Sequence, residues 1–263
     1  MPHTPTLHGI DGCPAGWLVL SQKADNSGSL SARIFPTLDQ LAPHLRADHI
    51  VAIDMPIGMP APDHYPRACD VAARQLLGSR ACCVFSAPCR GVLSHLHHYP
   101  SASSWHKHAT GKAISCQAFN ILPKINQLDT FLSLHPGIAS FHEIHPEVSF
   151  AYMNGSNGKP TPILTKKTSP EGAQARADLI EQAFPTTLHN SEVMESLQQN
   201  LGPRSKQGKP RWALNDLHDA FAALWSAHRI MTHSAEVLPA DHSAQPKTLQ
   251  QIDATGKTMQ IKA

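Results

Sequence analysis

Residues 7–16 read LHGIDGCPAG, and residues 49–58 read HIVAIDMPIG. In each stretch a short apolar rise ends on an aspartate, Asp11 or Asp54, and a Gly/Pro break follows at once. The pattern predicts two β-strands, each carrying one carboxylate at its C-terminal end to the edge of a sheet. Gly12, Pro14 and Gly16 then let the backbone turn sharply after the first, as Pro56 and Gly58 do after the second. A buried strand gains nothing from an acid at its end, so two such acids call for a chemical explanation.

Outward from these stretches, residues 17–22 and 31–35 read as strands joined by the turn-rich 23–29 segment. Leu38, Leu41 and Leu45 are spaced three and four apart, which predicts a short amphipathic helix over 37–46. Three meandering strands, a crossover helix and a strand returning beside the first give a mixed sheet with a parallel centre. Residues 141–145 supply a fifth strand, with Phe141, Glu143 and His145 on one face. Pro146 and Glu147 open a helix through Tyr152, and further helices are expected over 170–184, 191–201 and 216–231. The fold class is therefore α/β, a mixed five-stranded sheet flanked by helices, built from residues 7–57 and 139–238.

Residues 58–138 read as a mainly helical insertion between two strands of that sheet. Within it, 67–77 is helical with Arg67, Asp70 and Arg74 on one side, a pattern that fits a solvated face. Residues 114–132 are helical, with Pro123 either kinking one helix or starting a second. His95, His97, His98, His106 and His108 crowd one segment, where the choice is a transition-metal site or a solvated loop. No ligand pair has a fixed spacing, and Pro, Ser and Ala surround the histidines, so the loop is the better reading. Residues 239–263 form a tail in which 251–262 alternate about a Thr255-Gly256 turn and are expected to close as a hairpin.

The 263 residues are 41% hydrophobic and 16% charged, which marks a globular chain. A net charge of +2 means that any nucleic-acid surface must come from local patches. Two patches qualify. One is Lys166 and Lys167 in a polar loop, and the other is Arg204, Lys206, Lys209 and Arg211, which lead into the last helix; a plain linker is the competing reading of the second. The N-terminal MPHTPTLHG has neither a basic nor an apolar leader region, and no apolar run approaches the roughly 20 residues of a membrane span. Six cysteines without C-x-x-C spacing point to free thiols in a reducing cytoplasm.

Asp216 and Asp219 lie three apart, on one helix face. If that helix packs beside the first and fourth strands, Asp11, Asp54, Asp216 and Asp219 converge. Such a cluster repels itself unless cations or protons neutralise it, and its hard oxygens suit Mg²⁺ or Mn²⁺. Two such ions about 3.5–4 Å apart can activate water and stabilise the leaving oxygen of a phosphodiester. Each acid also has a structural alternative: Asp216 and Glu147 as first-turn acids, Asp11 as a turn residue.

The blocks GIDGCPAGW, AIDMPIGMP, RACDVAARQLLGSR, VFSAPCRGVL, QAFNILPKI, EIHPEVSFAYMNG, KKTSPEG and DLHDAFAALW stand in the order and spacing of the DUF429 family, which this chain resembles over residues 7–231. That family is described as predicted nucleases with an RNase H-like fold. The resemblance implies an RNase H-like core with Asp11, Asp54, Asp216 and Asp219 as metal-binding acids, completed by Glu143 or Glu147. The chain departs from the pattern in the His-rich 95–108 segment and at Cys82-Cys83, where Ser-like residues are expected.

The expected function is thus a two-metal nuclease acting on DNA or RNA, with a homodimer conceivable through the insertion or the tail. A phosphotransferase of the actin-like and sugar-kinase class also starts with a strand-end Asp and a Gly loop. It needs a second such domain and loop, which this length does not hold. A non-catalytic module on the same fold is the other alternative, and a self-repelling acid cluster argues against it.

Overall fold

The computed structural model describes residues 4–25, 29–240 and 252–263. They divide into two units, one of residues 4–25, 29–54, 135–235 and 262–263 and the other of residues 55–134, 236–240 and 252–261. The centre of the first unit is a five-stranded sheet in the order β3-β2-β1-β4-β5. Its strands are β1 (Thr6–Cys13), β2 (Gly16–Lys23), β3 (Ser31–Phe35), β4 (Ile50–Ile53) and β5 (Ser140–Glu143). The first three form an antiparallel meander, while β4 runs parallel to β1 and β5 parallel to β4. This is the mixed sheet expected from the sequence, flanked by helices as in an RNase H-like fold. The predicted crossover helix is shorter than its apolar spacing suggests. It comprises α1 (Leu38–Leu41) and a single 3₁₀ turn, because Pro43 follows directly.

β1 runs to Cys13, as expected of a first strand over residues 7–13, and hairpins there into β2 through Gly16 at φ 135°, so Asp11 lies two residues before the strand's end. Asp11 is paired with Leu18 inside the ladder. It stands at an edge only relative to β4, whose register ends at Ile10↔Ile53. The Asp54 N–H then donates to the Ile10 carbonyl at 2.9 Å, which brings the two acids side by side.

The second unit holds α2 (Ala68–Leu77), α3 (Tyr99–Thr110) and α4 (Cys116–Leu134). Pro123 sits within α4, which continues as one helix. The charged side of α2 is not a solvated face. Arg67 and Asp70 are each 1% exposed. Arg67 Nε and a terminal nitrogen donate to the Asp70 carboxylate at 3.1 and 2.6 Å, and Asp70 accepts the Ala87 N–H at 2.9 Å. The His-rich segment is largely helical rather than a loop. The His98 ring accepts the Ser101 N–H as a cap, and His106 is fully buried in α3. Pro100 in the first turn is compatible with a helix start, so its presence did not argue against one.

Of the C-terminal residues, 236–240 and 252–261 belong with this unit. A turn at Asp253–Gly256 is closed by the Ile252↔Thr258 bridge, which realises part of the expected hairpin; Gln251 lies outside the described residues. Asp253 accepts from the Met59 N–H and from Arg90, which also grips Asp129. Burial alone would raise the Asp253 carboxyl, but bonds from Thr255, the Lys257 backbone and Arg90 hold it at about 2.

Back in the first unit come α5 (Pro146–Met153), α6 (Pro170–Ala183), α7 (Ser191–Leu201) and α8 (Leu214–Met231). Every residue from Asp216 to Leu224 is buried, so α8 is enclosed on all sides and not merely along one stripe. Alanines 220, 222 and 223 keep it slim, and Gly9 of β1 lets it sit directly on the strand. A Cβ built on Gly9 would lie 2.3 Å from the Ala220 oxygen and from the Leu224 nitrogen. Both are backbone atoms, so neither can swing aside. Gly9→Ala is expected to lower stability in urea by about 3 kcal/mol, the upper end of overpacking costs. A loss below about 0.5 kcal/mol would show that α8 can slide off β1.

Candidate functional site

The β1–α8 contact decides where the acids meet. Two residues beyond Gly9, Asp11 points to the α8 side of the sheet, and one register step past Ile53 so does Asp54. The N-terminal part of α8 supplies Asp216, in the first turn, and Asp219, three residues further on, above them. Asp11 is 7% exposed, Asp216 9% and Asp219 2%, and Asp54 is more open. All four acids therefore gather at the junction of β1, β4 and the N-terminus of α8.

Their electrostatics record the crowding. The Asp11 carboxyl is pushed well up by burial, then by the charges of Asp219, Asp54 and Asp216. Asp54 is raised to about 7 by burial and by Asp219, against a lowering by Lys167 and by a hydrogen bond with Asp11. Asp219 is raised by burial, with Glu147 and Asp216 adding to it. Protons thus carry part of the neutralisation.

A cation carries the rest, and it belongs to the chain. Lys167 Nζ lies 2.6 Å from Asp219 Oδ2. Burial would lower the Lys167 ammonium, but the charges of Asp219, Asp11 and Asp54 outweigh it and raise the group. Sequence reasoning assigned Lys167 to a nucleic-acid patch; the structure puts it on the acids. Its neighbour Lys166 is exposed.

The other candidates separate. Register pairs Glu143 with Ile53, which places it on the face opposite Asp11 and Asp54. Glu147, in the first turn of α5, is the acid whose charge acts on Asp54 and Asp219. Its carboxylate is gripped by Arg176 through three bonds of 2.7–3.2 Å, and Arg176 also donates to the Gly172 carbonyl at 2.7 Å. Asp216 acts as a helix cap, accepting the Ala213 N–H at 2.9 Å and the Asn215 amide at 3.1 Å. Arg176, 1% exposed, escaped sequence reasoning because one arginine in a helix carries no sign of pointing inward.

The basic segment before α8 is a hairpin rather than a linker. Strands β6 (Ser205–Lys206) and β7 (Lys209–Pro210) are joined by Gln207 and Gly208, both at positive φ, the geometry of a two-residue hairpin turn. Arg204, Lys206 and Lys209 are exposed, and Arg204 lies over the Trp212 ring at 5.0 Å. The Arg211 carbonyl accepts the Ala15 N–H at 2.9 Å, which ties the hairpin's base to the turn after Asp11.

Among the described residues, no group of three or more His, Cys, Asp or Glu side chains is placed to hold a metal ion as it stands. Lys167 holds one Asp219 oxygen, Arg176 holds Glu147, and Asp216 caps its helix. The donor set nevertheless fits a hard cation. It consists of carboxylates that repel each other, and Asp219 Oδ1 is buried without a hydrogen-bond partner among the described residues.

The electrostatics predict how the metal-free protein responds to pH. Asp54, raised to about 7, keeps in the folded state a proton that the unfolded chain has released, so the stability it contributes is lost as pH rises through 7 toward 8. Below 6.5 an opposing set acts. Burial, with nearby positive groups, holds His8 at about 3 and His142 and His218 at about 4, so the unfolded state binds protons there that the fold refuses. The decline should therefore be confined to pH 6.5–8 in EDTA, and Asp54→Asn should flatten it in thermal melts. A melting point that rises over that range would contradict the raised carboxyls.

Residues 9–244 match the model of a family described as a protein of unknown function, DUF429. No curated protein and no solved structure matches the chain. No helix among the described residues is long and apolar enough to cross a membrane.

Proposed function

The chain belongs to the DUF429 family, and from that premise we propose that it is a divalent-metal-dependent nuclease that hydrolyses phosphodiester bonds of DNA or RNA. The observation that carries this reading is the convergence of Asp11, Asp54 and Asp219 from three separate elements onto one buried spot, at the expense of their mutual repulsion. Those three would hold Mg²⁺ or Mn²⁺, with Asp216 beside them. When bound, such ions activate a water and stabilise the leaving oxygen.

The chain's own groups prepare that chemistry. Burial and the neighbouring carboxylates raise Asp11, and raise Asp54 to about 7, so a cation held there would compete with a proton at Asp54. Lys167 pairs with Asp219 and would offer its ammonium to a phosphate oxygen. Arg176 keeps Glu147 from adding a further free charge. The β6–β7 hairpin presents Arg204, Lys206 and Lys209 for backbone phosphates, a contact that positions a strand without reading its sequence. None of the six cysteines is joined in a disulfide, which fits the reducing cytoplasm in which we place the protein.

The deciding test is cleavage of single-stranded, duplex and branched DNA and RNA with Mn²⁺ or Mg²⁺, comparing wild type with Asp11→Asn. Cleavage that the variant loses supports the nuclease. Charge reversal at Arg204 and Lys206 together should weaken nucleic-acid binding and reduce its salt slope by about two; an unaltered slope would remove the hairpin from the interface. The Lys167–Asp219 pair favours a second reading, a non-catalytic module whose lysine permanently takes a metal's place. Absence of both cleavage and metal binding would select it.

A further inference from the structure

Residues 203–211 read PRSKQGKPR, with four cations, no acid and no aromatic ring. Every residue from Pro203 to Pro210 is exposed, and successive residues of a strand point to opposite faces. The β6–β7 ribbon therefore stands free on both faces. Its register decides what each face presents. Lys206 is paired with Lys209, and Ser205 with Pro210. The Arg211 N–H donates to the Arg204 carbonyl at 2.7 Å, which continues the same register by one pair. Residues directly opposite share a face, as do residues two apart along a strand. All four cations thus lie on one face as two opposed pairs, with Ser205 and Pro210 on the other.

Like charges directly opposite each other destabilise a ribbon. None of these four cations is ion-paired with an acid among the described residues, so the charge that relieves the repulsion comes from a polyanionic partner. The make-up of the ribbon narrows that partner. Single-stranded nucleic acid is held by cations together with aromatic side chains on which its bases stack. The ribbon carries no such ring. The indole that follows it, Trp212, is 3% exposed, donates its Nε1–H to the Gly202 carbonyl at 3.0 Å and lies beneath Arg204. A duplex, whose bases are already paired inside it, needs no stacking platform. Arginine and lysine are donors only, and the outer edge of a duplex offers phosphate acceptors. From Arg204 to the turn the ribbon rises about 10 Å. That is close to the depth of about 8.5 Å of the B-DNA major groove, which admits a two-stranded β-ribbon. The A-form major groove of duplex RNA is too narrow for side chains to enter.

We propose that the β6–β7 ribbon docks on duplex DNA, its four-cation face toward the phosphates that border the major groove, and that duplex DNA is therefore the substrate class of the acid site. The second half of this assignment rests on the nuclease reading. The link between the two is the bond from the Ala15 N–H to the Arg211 carbonyl, which fastens the ribbon's base to the turn after Asp11.

The test is binding of the whole chain, in EDTA and over a range of salt, to a short DNA duplex, to one of its strands alone and to an RNA duplex of the same sequence. Wild type should bind the DNA duplex at least tenfold more tightly than the single strand at equal salt, and more tightly than the RNA duplex. Replacing Arg204, Lys206, Lys209 and Arg211 together with glutamine should remove that preference and lower the salt slope on duplex DNA by about three to four. Lys206→Gln/Lys209→Gln, at the two exposed positions beside the turn, should lower it by about two and decides the matter if the fourfold variant does not fold. A single strand or an RNA duplex bound as tightly as the DNA duplex, or an unchanged slope in the double variant, overturns the assignment. Replacing EDTA with Mn²⁺ separates the two readings. A duplex that is bound through the ribbon but left uncut removes the nuclease and keeps the docking site. Cutting of single strands without any duplex preference removes the docking site and keeps the nuclease.

Discussion

Asp11→Asn is expected to weaken Mn²⁺ binding at least about a hundredfold while leaving the fold intact and the metal-free protein more stable. The two effects have one cause. Asp11 is buried among Asp219, Asp54 and Asp216, and each of them pushes its carboxyl up. An amide keeps the shape and the hydrogen-bonding capacity but removes the charge that a cation requires. Loss of a group that merely orients a ligand costs 10–100-fold in metal affinity, so loss of a ligand charge should cost no less. Relief of the repulsion should raise apo stability by about 1 kcal/mol, or about 2–4 °C in melting temperature for a chain of this size. Calorimetric titration with Mn²⁺ and melts in EDTA read both quantities. Unchanged Mn²⁺ affinity would dissolve the proposed site, and a destabilised apo variant would show that Asp11 serves the fold.

The second large effect is expected at Arg176. Replacing it with methionine leaves Glu147, 6% exposed, with no guanidinium to accept from. Breaking a buried pair from one side costs about 3–5 kcal/mol, because an uncompensated charge remains in a low-dielectric setting. The melting temperature should fall by about 10 °C. Removing both charges in Glu147→Gln/Arg176→Met should recover most of the loss, since two neutral partners need no ion pair. A single variant within about 1 kcal/mol of wild type would mean that water reaches Glu147 and that its charge is not held away from Asp54 and Asp219.

The sheet and its two strand-borne aspartates were legible because apolar runs closed by Gly and Pro mark strands at short range. The acids of α8 were legible because a spacing of three fixes a shared helical face. Periodicity says which residues share a face, not where the face points, and this explains Arg67 and Asp70: the same spacing describes a solvated side or a buried pair. Lys167 was invisible as a site residue because it reaches Asp219 across 52 positions of chain. The His-rich segment looked like a loop on composition, yet His98 caps a helix and His106 is sealed inside it. The exclusion of Glu143 from the Asp11–Asp54 face was within reach, since alternation along parallel strands settles it once the register is known.

The bare backbone contact at Gly9 has a consequence for how this chain can vary. Where two elements are held apart by side chains, each exchange of a leucine for a valine shifts their spacing slightly, and anything mounted on them drifts. Here β1 and α8 meet peptide against peptide at Gly9, at a separation set by main-chain atoms that have no side chain to trim. The spacing between Asp11 and the acids of α8 is thus measured in units of the main chain. The surrounding core is free to change its side chains while that gauge stays fixed.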